Sequence, residues 1–244
     1  MIYLFTDFGY QGPYVGEMKA VLSRTLGSNS SIIDLMHDAP TFDPESSSYL
    51  IAALSNQFIP GDACLGIVDP GVGNQDRRPL LIKADDVIYC GPDNGLFSQI
   101  INRANKVEVY EIVWRPEDLS SSFHGRDLFA PALSMTLNNE IFEQRSTERK
   151  DVIGHDWPND LDGVIYIDGF GNLVTGRRAT TMTKTDNVII SNQKIKHAET
   201  FSSQEKGQPF WYSNSMGLVE VAVNQQRADT FFNVNVGEKI MVMT

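Results

Sequence analysis

Apolar and polar positions alternate between two rhythms along the first half of the chain. Residues 2–6, IYLFT, are short, apolar and partly β-branched, and predict a strand. A helix is expected from near Pro13, a residue suited to a first helical position. Val15, Met18, Val21 and Leu22 then share one face at helical spacing. Residues 31–35, SIIDL, predict a second strand, and residues 40–54 a loop passing into a helix, with Asp43 capping it before Pro44. Residues 63–68, ACLGIV, are nearly all apolar, as a strand buried on both faces should be. PLLIKA (79–84) and DVIYC (86–90) read as strands joined by a short turn. Residues 94–104 are helical by pattern, 106–113 strand-like and 126–137 helical again. Strands alternating with helices predict a largely parallel sheet with helices on its faces.

The rhythm breaks over residues 138–160, which are polar and charged without a sustained apolar period, and read as a linker. Boundaries are set at 1–150 for an N-terminal α/β domain, 151–160 for the linker and 161–244 for a second domain. Short strand patterns follow at 163–168, 171–176, 187–191, 218–223 and 239–243, and no long helix pattern returns. The second domain is therefore expected to be mostly β, and long enough to hold its own core.

Composition narrows the partners. The chain has 244 residues, with 20 Lys and Arg against 31 Asp and Glu, a net charge of −11. Nucleic-acid binding rests on Lys and Arg neutralising phosphates, so no nucleic-acid partner is expected. Cys64 and Cys90 sit inside apolar runs and read as buried, reduced thiols of a cytoplasmic protein. The first residues lack a basic lead and meet an acid at Asp7, so no signal peptide is expected. No apolar stretch approaches the ~20 residues of a membrane helix, and no membrane partner is expected.

Five loops pack Asp, Asn, His or Arg beside Gly or Pro: 6–9 (TDFG), 36–43 (MHDAPTFD), 68–73 (VDPGVG), 91–95 (GPDNG) and 123–127 (FHGRD). In an open α/β sheet, ligands bind beyond the carboxyl ends of the strands, where such loops gather. Singly, Asp and Gly are ordinary turn residues, and Asp93-Asn94-Gly95 reads first as a turn. Asp69, ending an apolar strand before Pro70-Gly71, is equally a turn cap or a site residue. No GxGxxG, P-loop or GxSxG pattern occurs, which leaves dinucleotide, triphosphate and serine-hydrolase chemistry unsupported. On residue type alone, Asp7, Asp69, Asp93, His124 and Asp127 make an oxygen-rich metal site for a hydrolase, though without compact ligand spacing.

Taken together, TDFG with PYVGEMKAVL, IDLMHDAPTFD, FIPGDACLGIVDPGVG, GPDNGLFS, FHGRDLFAPA, IDGFGN and NSMGLVEVAVN resemble one family over residues 2 to about 224. It is the S-adenosyl-L-methionine (SAM) hydroxide adenosyltransferases, hydrolase relatives of the SAM-dependent chlorinases and fluorinases. The resemblance implies an N-terminal α/β domain of Rossmann-like layering and a smaller all-β C-terminal barrel. It also implies a homotrimer, with SAM held between the N-domain of one subunit and the C-domain of the next. The implied reaction gives adenosine and methionine without metal or cofactor. The family's water-activating Asp-Arg-His set falls on Asp69, His124 and, because the loop is one residue longer than the common form, either Arg77 or Arg78, with Arg77 preferred. Asp7 resembles the carboxylate that binds the ribose hydroxyls, and Phe42 and Phe123 line the ribose and sulfonium. Asp168 and Ser215 would hold the amine and carboxylate of the methionine end. Phe170 and Asn172 would meet adenine, with Trp211 or Tyr212 flanking it. Met216 stands where the halogenases carry an Arg, which leaves the methionine carboxylate without an assigned cation. Because Asp69 and His124 are both present, the resemblance favours hydrolase over halogenase. Two further readings stay open beside it: a SAM- or adenosine-binding sensor without turnover, and a metal-dependent hydrolase.

Overall fold

The apolar runs of the first half pair into one sheet. The computed structural model describes residues 1–27, 30–74 and 76–243. Its elements run β1 (Ile2–Thr6), α1 (Tyr14–Leu26), β2 (Ile32–Met36), α2 (Pro44–Leu54), β3 (Ala63–Ile67), β4 (Pro79–Ala84), β5 (Val87–Pro92), α3 (Ser98–Arg103), β6 (Val107–Ile112), α4 (Ala130–Leu137) and β7 (Gln144–Thr147). The sheet order is β2-β1-β3-β5-β4-β6-β7. The pairs β1–β2, β1–β3 and β3–β5 are parallel, and β4–β5, β4–β6 and β6–β7 antiparallel. The expected largely parallel sheet is thus corrected to a mixed one. The cause is local: Asp85 (φ 46°) and Asp86 (φ 66°) form a two-residue left-handed turn that folds β4 and β5 into a hairpin.

Each face of the sheet buries its own set of side chains. Leu4, Leu65 and Cys90 pack with Met18 and Leu22 of α1 and with Ala130 and Leu133 of α4. Elsewhere in the sheet Tyr3 stacks on Phe58 at 4.1 Å, with Tyr89 and Phe97 continuing the aromatic row at 6.3 and 5.9 Å. Cys64 and Cys90 are free and buried, and burial pushes both thiols far above their ordinary pKa.

Two glycines let Phe97 lie close against the sheet. A Cβ on Gly66 would stand 2.8 Å from the Phe97 ring. One on Gly91 would overlap the Gly66 carbonyl oxygen and stand 2.9 Å from the same ring. Backbone cannot yield as a flexible side chain can, so Gly91→Ala is expected to destabilise the fold by about 1–3 kcal/mol or more. A lowered denaturant midpoint would show it, and an unchanged midpoint would refute the packing argument.

Three local expectations shift. The helix expected at 94–104 begins only at Ser98, because Gly95 takes φ 96° in the preceding turn. The helix expected at 126–137 divides into a π-helical turn, Gly125–Phe129, and α4. The polar run 138–160 is not linker throughout: β7 lies within it as an edge strand. Its side chains are mostly exposed and its pairing is through backbone, so it left no apolar signal.

The chain divides into two units, Met1–Ile51 with Gln57–Trp157, and Ala52–Asn56 with the chain from Pro158 onward. The second unit contains β8 (Leu161–Ile167), β9 (Leu173–Arg178), β10 (Asn187–Ile190), β11 (Gln193–Ile195), β12 (Pro209–Ser213), β13 (Leu218–Val223), the short α5 (Ala228–Phe232) and β14 (Met241–Met243). Its strands form two antiparallel sheets, β12-β13-β9-β8 and β11-β10-β14. Isolated bridges join Gly163 to Lys239 and His197 to Trp211, one at each outer edge of the larger sheet. Val164, Leu173, Val188, Trp211, Val219 and Val221 share its core. Among the described residues of the chain, no helix is long and apolar enough to cross a membrane.

Candidate active site

The parallel half of the first-unit sheet places four of the five polar loops at one edge. β1, β2, β3 and β5 run the same way, so residues 6–9, 36–43, 68–73 and 91–95 leave their carboxyl ends side by side. At the end of β1, an Asp7 oxygen accepts the Phe42 N–H at 3.1 Å. Phe42 sits at φ 60°, a rare conformation for a bulky residue, and the residue is 72% exposed. Burial raises the Asp7 pKa above the ordinary carboxylate value, backbone hydrogen bonds pull it down, and the charge of Asp69 raises it further.

Asp69 lies just past β3, in the tight turn that Pro70 and Gly71 impose. One of its oxygens accepts the Gly71 N–H at 3.2 Å and the Arg77 guanidinium. A Cβ on Gly71 would stand 2.5 Å from an Arg77 nitrogen, so the glycine leaves the arginine its room. Asp69, Arg77 and His124 line one cavity of about 290 Å³, with Asn74, Arg115, Ser121 and Leu128 among its other walls. Asn94 braces this corner: its side-chain amide donates to the Val68 carbonyl at 2.7 Å. Phe123, beside His124, packs edge-on against Phe8 and Tyr14 at 6.1 and 5.3 Å. The Arg126 guanidinium lies 5.2 Å from the centre of the Phe123 ring.

The structure separates the two arginines that the sequence left open. Arg78 points away from Asp69 and binds Asp93 at 2.9 and 2.5 Å and the Asp151 carbonyl. Asp93 also accepts the Ile153 N–H at 3.0 Å, so its carboxylate is used within the framework. Asp127 is held by Arg126 at 2.6 and 2.9 Å and by the Ser120 N–H at 3.2 Å, and this pairing keeps its carboxyl below the ordinary range. The five-residue metal site suggested by residue type is therefore corrected. Three of its acids, Asp69, Asp93 and Asp127, are engaged by arginines, and among the described residues no three His, Cys, Asp or Glu side chains gather to hold a metal.

The second unit carries a larger open pocket of about 850 Å³, with Asp168, Phe170, Asn172, Ser215 and Met216 among its lining residues. Asp168 is locked in place. One oxygen accepts the Phe170 and Asn172 N–H groups, each at 2.9 Å, and the other accepts the Asn172 carboxamide at 3.0 Å. Phe170, 80% exposed, offers a ring face at the mouth. Strand alternation decides between the two neighbouring aromatics. Trp211 points into the core, where its Nε1 donates to the Asp186 carbonyl at 3.0 Å, whereas Tyr212 lines the pocket with Phe201.

The sequence pattern does not mark several lining residues. Arg115 shares the Asp69 cavity, and Glu220 lines the second-unit pocket. Arg115 sits before Pro116 in a loop outside the five singled out, and Glu220 has no Gly or Pro beside it. Glu220 instead stands within the apolar strand pattern of LVEVAV, where a carboxylate in a buried strand is the available clue.

Two family models match the chain. The SAM hydroxide adenosyltransferase N-terminal domain covers residues 2–145, and the corresponding C-terminal domain covers residues 163–241. A Salinispora tropica protein named (R)-S-adenosyl-L-methionine hydrolase is 29% identical over 251 residues, covering 97% of this chain and 95% of that protein. A Thermus thermophilus protein of the same name is 28% identical, covering 99% of each chain. A solved structure, an uncharacterised conserved protein from Thermotoga maritima, superposes with a TM-score of 0.85 at 27% identity and full coverage of both chains.

Proposed function

This chain belongs to the SAM hydroxide adenosyltransferase family, and from that premise we propose that it hydrolyses SAM to adenosine and L-methionine. The names of its relatives specify the (R) configuration at sulfur, and we take that sulfonium epimer as the substrate. The observation that carries the reading is the meeting of Asp69, Arg77 and His124 in one cavity beyond the carboxyl end of β3.

The chemistry matches such a cavity. Water attacks C5′ of the ribose; the O–C5′ bond forms as the C5′–S bond breaks, and its electron pair stays on sulfur. Methionine leaves as a neutral thioether and needs no acid. The proton lost by water passes to Asp69 or His124 and then to solvent. Arg77 stabilises hydroxide character on the attacking oxygen, while Asp69 and His124 orient it. Hydroxide and sulfonium neutralise one another in the transition state, so a site shielded from water favours the step. Alignment is the other large term, since well-oriented reactants gain about 7–11 kcal/mol.

In this reading Asp7 accepts the ribose hydroxyls, and Phe42 and Phe123 face the ribose and sulfonium. Phe170 and Tyr212 flank adenine with Asn172 at its edge, and Asp168 and Ser215 take the amine and carboxylate of the methionine end. The second unit is a β-barrel, its two sheets linked through the bridges at Gly163 and His197. The protein is a homotrimer that holds each SAM between the first unit of one subunit and the second unit of the next. Diluting the enzyme below its assembly constant is therefore expected to abolish turnover. A fully active monomer in a sedimentation-checked assay would overturn the shared site.

The functional test uses purified protein in halide-free, chelated buffer with each sulfonium epimer supplied separately. Adenosine and methionine are expected in equal amounts, faster from the (R) form. Tight binding without product would favour a sensor. A chloro-adenosine formed only on restoring chloride would favour a halogenase, and activity lost on chelation a metal enzyme.

A further inference from the structure

We infer that Glu220 is a positioning residue for the amino-acid end of the ligand, acting through Asn214 on the turn that carries Ser215. The inference rests on the proposed role of the second-unit pocket. Glu220 stands on β13 with only 5% of its surface exposed. Both of its oxygens are used: one accepts the Tyr212 hydroxyl, the other the Asn214 carboxamide at 2.8 Å. Burial raises its pKa, the two hydrogen bonds lower it, and the charge of Asp168 raises it again. Among the described residues no ion pair to it is found, and a carboxylate so removed from water is costly to keep.

Its geometry gives that carboxylate a task. A carboxylate only accepts, so it forces Asn214 to present its NH2 to Glu220 and its carbonyl oxygen the other way. That oxygen then accepts the Met216 and Leu218 N–H groups, each at 3.0 Å. The Asn214 backbone carbonyl accepts the Gly217 N–H at 3.0 Å, and its N–H reaches the Leu218 carbonyl at 2.9 Å. Three N–H groups of the turn are thereby spent on Asn214. Those of Met216, Gly217 and Leu218 are not available to an anion, so Ser215, with its hydroxyl and its own N–H, is the turn residue that presents donors to the pocket. The substrate carboxylate, which finds no arginine at Met216, is anchored there.

Glu220→Leu would break this logic: with no acceptor left for its NH2, the Asn214 carboxamide is no longer forced to aim its oxygen at the Met216 and Leu218 N–H groups. A purely architectural role would disturb every ligand of the pocket alike, whereas a positioning role singles out ligands with an amino-acid end. The test is calorimetric binding of SAM and of adenosine, which lacks that end, to wild type, Glu220→Leu, Asn214→Ala and the double variant, with melting temperatures recorded. Glu220→Leu and Asn214→Ala are each expected to weaken SAM binding about tenfold, the scale of one charge-assisted hydrogen bond, and to leave adenosine binding within twofold. The double variant is expected to lose no more than either single one, as residues of one relay do. Equal losses for SAM and adenosine, unchanged SAM binding, or additive losses in the double variant would each overturn the inference. A wild-type protein that binds neither ligand would instead overturn the functional reading beneath it.

Discussion

Asp69→Asn is expected to lower kcat by about 10³-fold while leaving the dissociation constant for SAM within a few-fold of wild type. The asymmetry follows from what the carboxylate touches. Asp69 accepts the Gly71 N–H and the Arg77 guanidinium in the tight turn after β3. Asparagine keeps the volume and one acceptor oxygen but replaces the other with a donor. An amide can neither take the water's proton nor balance the Arg77 charge, although its one oxygen can still accept from Gly71 and Arg77. Each effect acts on hydroxide, which exists only on the way to the transition state, so the loss falls on kcat. General-base removal alone contributes about 10²–10⁴. Single-turnover product formation and calorimetric binding on the same preparation separate the two quantities. A kcat within tenfold of wild type, or equal losses in rate and affinity, would remove Asp69 from the chemistry.

Asp7→Ala is expected to act in the opposite sense, raising KM by about 10² with a smaller change in kcat. A ribose diol that loses a charged acceptor leaves hydroxyls to be buried without a partner, and such losses are large. The same residue predicts a pH dependence. Burial, and then the charge of Asp69, raises the Asp7 pKa above its ordinary value of 3.8. The ionised form accepts from both the Phe42 N–H and the substrate. Affinity is therefore complete above the raised pKa and falls as pH drops through it, so KM rises on acidification earlier than an unperturbed aspartate would cause. In Asp69→Asn one raising influence is gone, and the acidic limb should move to lower pH. KM measured across an acidic pH series checks both. An unshifted limb in Asp69→Asn would show that the two carboxylates do not interact.

The layout of the chain is largely legible in the sequence, because backbone pairing and burial leave periodic traces. β3 is buried along its whole length and reads as an unbroken apolar run, and α1 turns Met18 and Leu22 inward at helical spacing. β7 leaves no such trace because this exposed edge strand is held by backbone pairing and the Arg145–Glu111 ion pair rather than by apolar burial. The hairpin of β4 and β5 is legible as two strands and a turn. Its consequence, an antiparallel half of the sheet, is not, because strand direction is set by the left-handed pair Asp85-Asp86 and by which neighbour each strand finds.

The site shows the same division. The sequence alone singles out five polar loops, because Asp, His and Arg beside Gly and Pro mark sharp backbone turns, and four of the five leave strand ends side by side. It also determined the family, because VDPGVG, FHGRD and IDGFGN recur in order. It left Arg77 and Arg78 open, with Arg77 preferred but no contact to separate two adjacent, identical side chains. Only the tertiary structure decided between them, by placing Arg77 on Asp69 and Arg78 on Asp93, a partner 15 residues away along the chain. Likewise Trp211 and Tyr212 differ by one position, and only the pairing of β12 with β13 put the first in the core and the second in the pocket. Local pattern records what a residue needs from its neighbours in the chain. Which charge meets which, and which face of a strand becomes a wall of a pocket, depends on distant segments brought together, and that is settled in three dimensions.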